Sequence, residues 1–179
     1  MKKLFFILFI SFVLKGNAQN KDYVIDMNGI GALKIGIPQV EIEKIIKQKL
    51  FLKNALDTAI SWQDSATAKY KNITLLLFFQ RQYTADNVYY MYLIGISTRN
   101  SLCKTVRGIG IGDDKLKVTE AYKKDDIEMG PEYDDQRNAI KNKYIITLNN
   151  HSGKRMMVFY LRNKKVVEIK VKMVFTDEE

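Results

Sequence analysis

Two stretches of this chain, offset so that Gly36 falls on Gly112, share one layout, and that limits the possible folds more than any other feature. The first is "GALKIGIPQVEIEKIIKQKL" at 31–50 and the second "GIGIGDDKLKVTEAYKK" at 108–124. The same offset sets Leu33 on Ile109, Ile35 on Ile111, Val40 on Leu116, Ile42 on Val118, Ile45 on Ala121 and Ile46 on Tyr122. Self-similarity at a fixed interval marks a duplicated structural unit.

Each copy reads as a short alternating apolar segment, a tight glycine turn and a helix of about three turns. Ile42, Ile45, Ile46 and Leu50 share one face of the first helix, the spacing of a helix packed on something flat. Pro38 suits a first helical turn. Its counterpart Asp114, or Asp113 beside it, reads as an N-cap whose carboxylate accepts free N–H groups. Strands are expected at 57–63, 71–80 and 87–98 in the first half, and at 143–150, 154–162 and 165–175 in the second. "NNHSGK" and "RNKK" between the latter are short enough for hairpin turns. The expected fold class is α+β: two tandem units, 19–102 and 103–179, each a helix packed on an antiparallel β-meander.

Glycines 108, 110 and 112 invite a phosphate-cradle reading, which the spacing excludes. A P-loop needs a second glycine followed by Lys and Ser or Thr, and G-x-G-x-x-G needs a glycine where Asp113 stands. Two aspartates also occupy the helix start that an anion would need. The glycines therefore read as punctuation between strand and helix, supplying positive φ and close approach.

The N-terminus has a secretory layout. Lys2 and Lys3 precede the apolar run Leu4–Leu14, whose 11 residues fall short of the roughly 20 needed to span a bilayer. Gly16 and Ala18 supply the small residues of a cleavage site, so residues 1–18 read as a signal peptide. The product is expected in the periplasm or secreted, without a transmembrane segment in the mature chain. No cysteine follows the run, so no lipid anchor is expected at this point. The segment holds Lys2, Lys3 and Lys15 of the 29 basic residues and none of the 20 acidic ones, leaving 26 against 20. That surplus is small and scattered, unlike the concentrated stripe of a nucleic-acid binder.

Cys103 and His151 are the only residues of their types. One cysteine makes no intrachain disulfide framework. One imidazole does not make a zinc site of several N or S ligands, and any Ser or Cys nucleophile would have to pair with His151 itself. Cys103 is expected to be a small buried side chain and His151 a solvent-facing turn residue. A carboxylate-pair hydrolase would need two acids facing across a cleft, whereas the acids here dot helix surfaces or crowd one loop. No catalytic residue, cofactor or metal-ligand set is expected. "DDIEMGPEYDD" (125–135) carries six acids and no base and lacks the EF-hand pattern. It reads as a solvated loop, with Asp125, Asp126, Glu128, Glu132, Asp134 and Asp135 the candidate set for a cation or basic partner.

The motifs "LKIGIPQVEIEKII" and "IGIGDDKLKVTEAY", each followed by a β-meander, resemble those of the β-lactamase-inhibitor-protein-like superfamily. They are also similar to small lipoproteins of the outer-membrane assembly machine. The resemblance implies two tandem units whose sheets join into one curved surface, acting by binding other proteins and not by catalysis. The chain lacks the paired cysteines of the name-giving inhibitor and matches no lactamase-binding loop, so lactamase inhibition is not implied. Alternation in 87–98 places Val88, Tyr90, Tyr92, Ile94 and Ile96 on one face. Trp62, Tyr90, Tyr92 and Tyr160 are the expected aromatic patch for another envelope or extracellular protein, aromatics being enriched at interfaces. The alternative is an exported small-ligand or cation binder using the acidic loop.

Overall fold

Alternating apolar and polar residues drive most of this chain into strands, because only an extended backbone sends alternate side chains to opposite faces. The computed structural model describes residues 20–53, 62–83, 88–150 and 154–175. Short strands β1 (Val24–Asp26), β2 (Gly29–Ile30) and β3 (Leu33–Lys34) lead into helix α1 (Gln39–Ile46). Strands β4 (Gln63–Tyr70), β5 (Ile73–Tyr83) and β6 (Tyr89–Thr98) follow. The second half runs β7 (Lys104–Thr105), helix α2 (Lys115–Tyr122), β8 (Ile127–Tyr133), β9 (Ala139–Asn150), β10 (Arg155–Arg162) and β11 (Lys165–Met173). They form a four-stranded sheet, β3-β2-β1-β7, and a seven-stranded one, β4-β5-β6-β11-β10-β9-β8.

One row of side chains crosses the whole larger sheet: Ala66, Leu77, Ile96, Val171, Met157, Leu148 and Ile127, each the register partner of the next. The five inner members are buried, and the two on the edge strands are half-buried. Ile25, Ile30 and Leu33 of the small sheet, with Ile42 of α1 and Val118 of α2, are fully buried and join the same core. Burying each such side chain stabilises by about 1.5–3 kcal/mol. The small sheet and the two helices thus close over one face of the large sheet and leave the other open.

The expected α+β fold of two helix-on-meander units is overturned. The protein is mostly β, 55% strand against 14% helix, and its α-helices among the described residues are two of eight residues each. α1 stops at Ile46 because Lys47 takes a left-handed conformation at φ 54°. Leu50, expected on the helix, is instead buried by the turn after it, and Ile45 is exposed. Strands absent from the expectation add the rest. β4 ("QDSATAKY") and β8 ("IEMGPEY") carry few large apolar residues because they are edge strands, covered on fewer sides. The strands of the small sheet, two or three residues long, are too short to show a period.

The internal offset is nevertheless present in the backbone. α1 and α2 occupy equivalent positions, and Gly36 and Gly112 share φ values of 96° and 91°. The Gly36 N–H donates to the Leu93 carbonyl (2.7 Å) and the Leu93 N–H to that of Ile37 (3.0 Å). In the second half the Gly112 N–H donates to Val166 and the Val166 N–H to Asp113, both at 2.8 Å. Each glycine turn adds a rung to the last strand of its own half. Those last strands, β6 and β11, pair antiparallel from Gly95↔Lys172 to Thr98↔Ile169, while β7 pairs parallel with β1. The two halves therefore share both sheets and one core.

A substitution checks the turn. An added Cβ at Gly112 meets nothing within 4 Å, so only the left-handed torsion penalises Gly112→Ala, by about 1–2 kcal/mol. Gly36→Ala should cost the same within about 0.5 kcal/mol. Urea midpoints measure both; an unchanged midpoint for either would break the equivalence.

The expected strands at 71–80, 87–98, 143–150, 154–162 and 165–175 coincide with β5, β6, β9, β10 and β11, with shifted ends. The signal segment 1–18, His151 and most of the expected strand 57–63 lie outside the described residues. Among the described residues no helix is long and apolar enough to cross a membrane.

Candidate functional site

The register of β5 and β6 builds an aromatic end on the large sheet. Tyr83 faces Tyr89, Gln82 faces Tyr90, Arg81 faces Met91 and Gln80 faces Tyr92. Tyr83, Arg81 and Tyr89 consequently share the helix-covered face with buried Met91, while Tyr90 and Tyr92 take the other. Trp62 joins the first group, its carbonyl accepting the Arg81 N–H at 2.8 Å. The Trp62 ring meets Tyr83 edge-on at 5.6 Å and Tyr83 meets Tyr89 at 6.1 Å. Such pairs contribute about 0.5–1.5 kcal/mol each beyond area burial. The buried Arg81 guanidinium lies 4.7 Å from the Tyr89 ring centroid, fixing the inner end of the ladder by a cation–π contact. On the opposite face Tyr90 and Tyr92 meet at 6.2 Å.

The expected patch is thus divided. Tyr90 and Tyr92 come together, but Trp62 stands on the other face of the sheet. Tyr160, on β10, is partnered by Glu168 and Ile145 and is separated from β6 by β11. Burial pushes the Tyr160 phenol above its ordinary range, and the charges of Glu168 and Glu132 push it further. Ile96 does not share the face of Tyr90 either. A register shift at Phe78/Phe79 inserts an extra residue into β6, and such a bulge returns Ile96 to the buried side with Met91 and Leu93. Tyr83 and Tyr89 are absent from the expected patch; the signal that points to them is "YTADNVY", a tyrosine on either side of a short connection.

Beyond Gly95 strand β6 loses β11, and the α1 turn takes its place, with Pro38 bridging to Tyr92. Pro38, Gln39 and Val40 there face Tyr89–Met91 across a cleft of about 160 Å³. Val40, Trp62, Tyr83, Val88 and Tyr90 are each 42–56 % exposed. A single exposed apolar residue is ordinary, but a group gathered at one end of a sheet is a candidate interface.

The acidic stretch is an edge strand and its turn, not a loop gathered around an ion. Arg107 forms a forked pair with Asp125 at 2.6 and 2.9 Å. Glu128 accepts from the Asn149 amide at 2.9 Å, and Glu132 pairs with Lys143 at 3.1 Å. Asp134 accepts the N–H groups of Gln136 and Asn138 in the β8–β9 turn. Asp126 and Asp135 are exposed. Among the described residues no group of three or more acidic, histidine or cysteine side chains could hold a metal ion.

The glycine loop is explained by its own contacts. Asp114 is the N-cap, accepting the Lys117 N–H at 2.8 Å. Asp113 accepts the Gly110 N–H at 2.8 Å and pairs with Lys117 at 2.7 Å. Burial raises the Asp113 carboxyl, but these bonds and the charges of Lys117 and Lys104 hold it below the usual range. Cys103 is fully buried, and burial lifts its thiol above the ordinary range against a hydrogen bond from Thr98.

No family model, curated protein or solved structure matches this chain.

Proposed function

We propose that this is an exported, non-enzymatic binding module that presents the aromatic end of β4, β5 and β6 to another protein of the envelope or extracellular space. The observation that carries this reading is the Trp62–Tyr83–Tyr89 ladder. Its rings are held edge-on, yet more than half of Trp62 and Tyr83 is open to solvent. Tyrosine and tryptophan dominate the energetics of known interfaces. Ring packing that pre-orders them lowers the entropy lost on association. The resemblance of the two glycine-turn motifs points the same way, and the layout of residues 1–18 supports export.

The experiment is capture from an envelope extract followed by affinity measurement with the purified partner. Changing Trp62 and Tyr83 to alanine together should weaken binding roughly 1000-fold, at about 2 kcal/mol for each hot-spot aromatic. The melting temperature should move little, because both side chains are exposed. Undiminished affinity in the double variant would remove the proposal.

A further inference from the structure

The open face of the large sheet carries a second, independent feature. Register sets Phe78, Gly95 and Lys172 side by side on β5, β6 and β11, with Lys170 opposite Ser97 one rung on. Together with Ile94 and Phe175 they wall a cavity of about 210 Å³, the volume of about seven waters. We propose that this cavity is a binding site for a small organic anion, a carboxylate on an aromatic or short aliphatic body.

Charge is the first reason. Neither Lys170 nor Lys172 forms an ion pair among the described residues. The nearby Glu168 is already held by Arg99 at 2.7 Å and by the Ser97 hydroxyl. Asp64, on the rim, accepts the Ser65 N–H at 2.7 Å. The Lys170 ammonium lies 3.7 Å from the Phe78 ring centroid. Burial lowers the Lys170 pKa, and the like charge of Lys172 lowers it further, while Glu168 acts the other way. Against the single carboxylate of Asp64 on the rim, the two partly buried ammonium groups leave a net positive charge that a bound anion would neutralise.

Space is the second reason. Gly95 has no left-handed φ that would require glycine. A Cβ there would stand 3.3 Å from the Lys172 Cβ and 3.5 Å from the Phe78 ring, filling the floor between them. A glycine inside a strand weakens it and commonly marks close approach of a ligand or another backbone. The walls then define the ligand. Lys170 and Lys172 bring charge to the cavity and Phe78, Ile94 and Phe175 bring apolar surface, a lining that suits one anionic group on an apolar body of about the size of phenylacetate.

The test is an NMR titration of the mature chain with phenylacetate, neutral phenylacetamide and inorganic phosphate. Phenylacetate should give saturable amide shifts centred on Phe78, Gly95, Lys170 and Lys172. Phenylacetamide and phosphate should each bind roughly tenfold more weakly or worse, since each lacks one half of the recognition. Lys172→Met, which keeps the apolar stem, should weaken phenylacetate roughly tenfold, the weight of a charge-assisted contact. Gly95→Ala should weaken it while preserving the fold, and Gly95→Val should abolish it. Equal binding of acid and amide, phosphate as tight as phenylacetate, unchanged affinity in Lys172→Met, or shifts centred elsewhere would each overturn the proposal. None of these outcomes depends on Trp62 or Tyr83, so this site and the protein-binding role stand or fall separately.

Discussion

Replacing Phe159 with alanine is expected to remove about 3–5 kcal/mol of folding stability, the usual cost of truncating a fully buried aromatic. Phe159 is 0% exposed on β10, with Ile146 and Ile169 as its register partners. Tyr122, the last residue of α2, packs on its ring at 5.7 Å. The Arg107 guanidinium covers Tyr122 in turn at 4.7 Å, held from outside by Asp125. This column ties the second helix to the sheet from core to surface, and its members contribute unequally. Arg107→Ala should cost about 1 kcal/mol or less, because the pair it breaks is partly solvated. Phe159→Ala opens a cavity under both the helix and the sheet. Against a total of about 5–15 kcal/mol for an ordinary domain, that loss removes about a fifth of the margin or more. Urea unfolding followed by far-UV circular dichroism measures it, with Phe159→Leu expected to lose roughly half as much or less. A loss under about 1 kcal/mol for Phe159→Ala would mean that α2 is not anchored there.

What could be read from residues alone, and what could not, follows from the range of the forces involved. The offset between the two glycine turns was legible because a left-handed φ and an apolar i, i+4 pair are local demands, written in Gly36 and Gly112 and in Ile42 with Ile46 and Val118 with Tyr122. Five of the long strands were legible by alternation. β4 and β8 were not, because an edge strand is shielded on fewer sides and tolerates "QDSATAKY" or six acids in and around "IEMGPEY". That gap, with helices that stop after eight residues, turned a mostly β protein into an expected α+β one. The aromatic site was half legible. Tyr90 and Tyr92 share a face by parity, but the face of Trp62 depends on its pairing with Arg81 across strands. Alternation in β11 puts Lys170 and Lys172 on one face of the strand and carries no sign of a cavity. Only the register that brings Gly95 between Phe78 and Lys172 makes them a cavity wall.

Glu43→Ala should cost about 2–3 kcal/mol near neutral pH, although Glu43 is not among the residues Ile42, Ile45, Ile46 and Leu50 that the helical spacing gathers on the packed face. The structure buries Glu43 to 9% exposure, because the chain after α1 folds back over it. Its Oε1 accepts the Leu50 N–H and the Gln39 side-chain amide, each at 2.9 Å, and its Oε2 pairs with Lys49 at 2.9 Å. Lys49 itself is almost fully solvated and adds little. The cost lies in the Leu50 N–H, which alanine leaves without its acceptor in a buried setting, at about 1–3 kcal/mol. Leu50, buried in the core, would loosen with it. Burial alone would raise the Glu43 carboxyl, but the Leu50, Lys49 and Gln39 bonds outweigh it and hold the pKa below its ordinary value. A depressed folded-state pKa stabilises the protein above the unfolded-state value of about 4.3. That contribution is lost as pH falls through the folded value. The stability gap between the natural chain and Glu43→Gln should accordingly be constant above about pH 6 and close as pH drops below about 4. Urea titrations at several pH values decide this. A gap independent of pH down to the carboxylate range would show that the charge on Glu43 does not hold the turn.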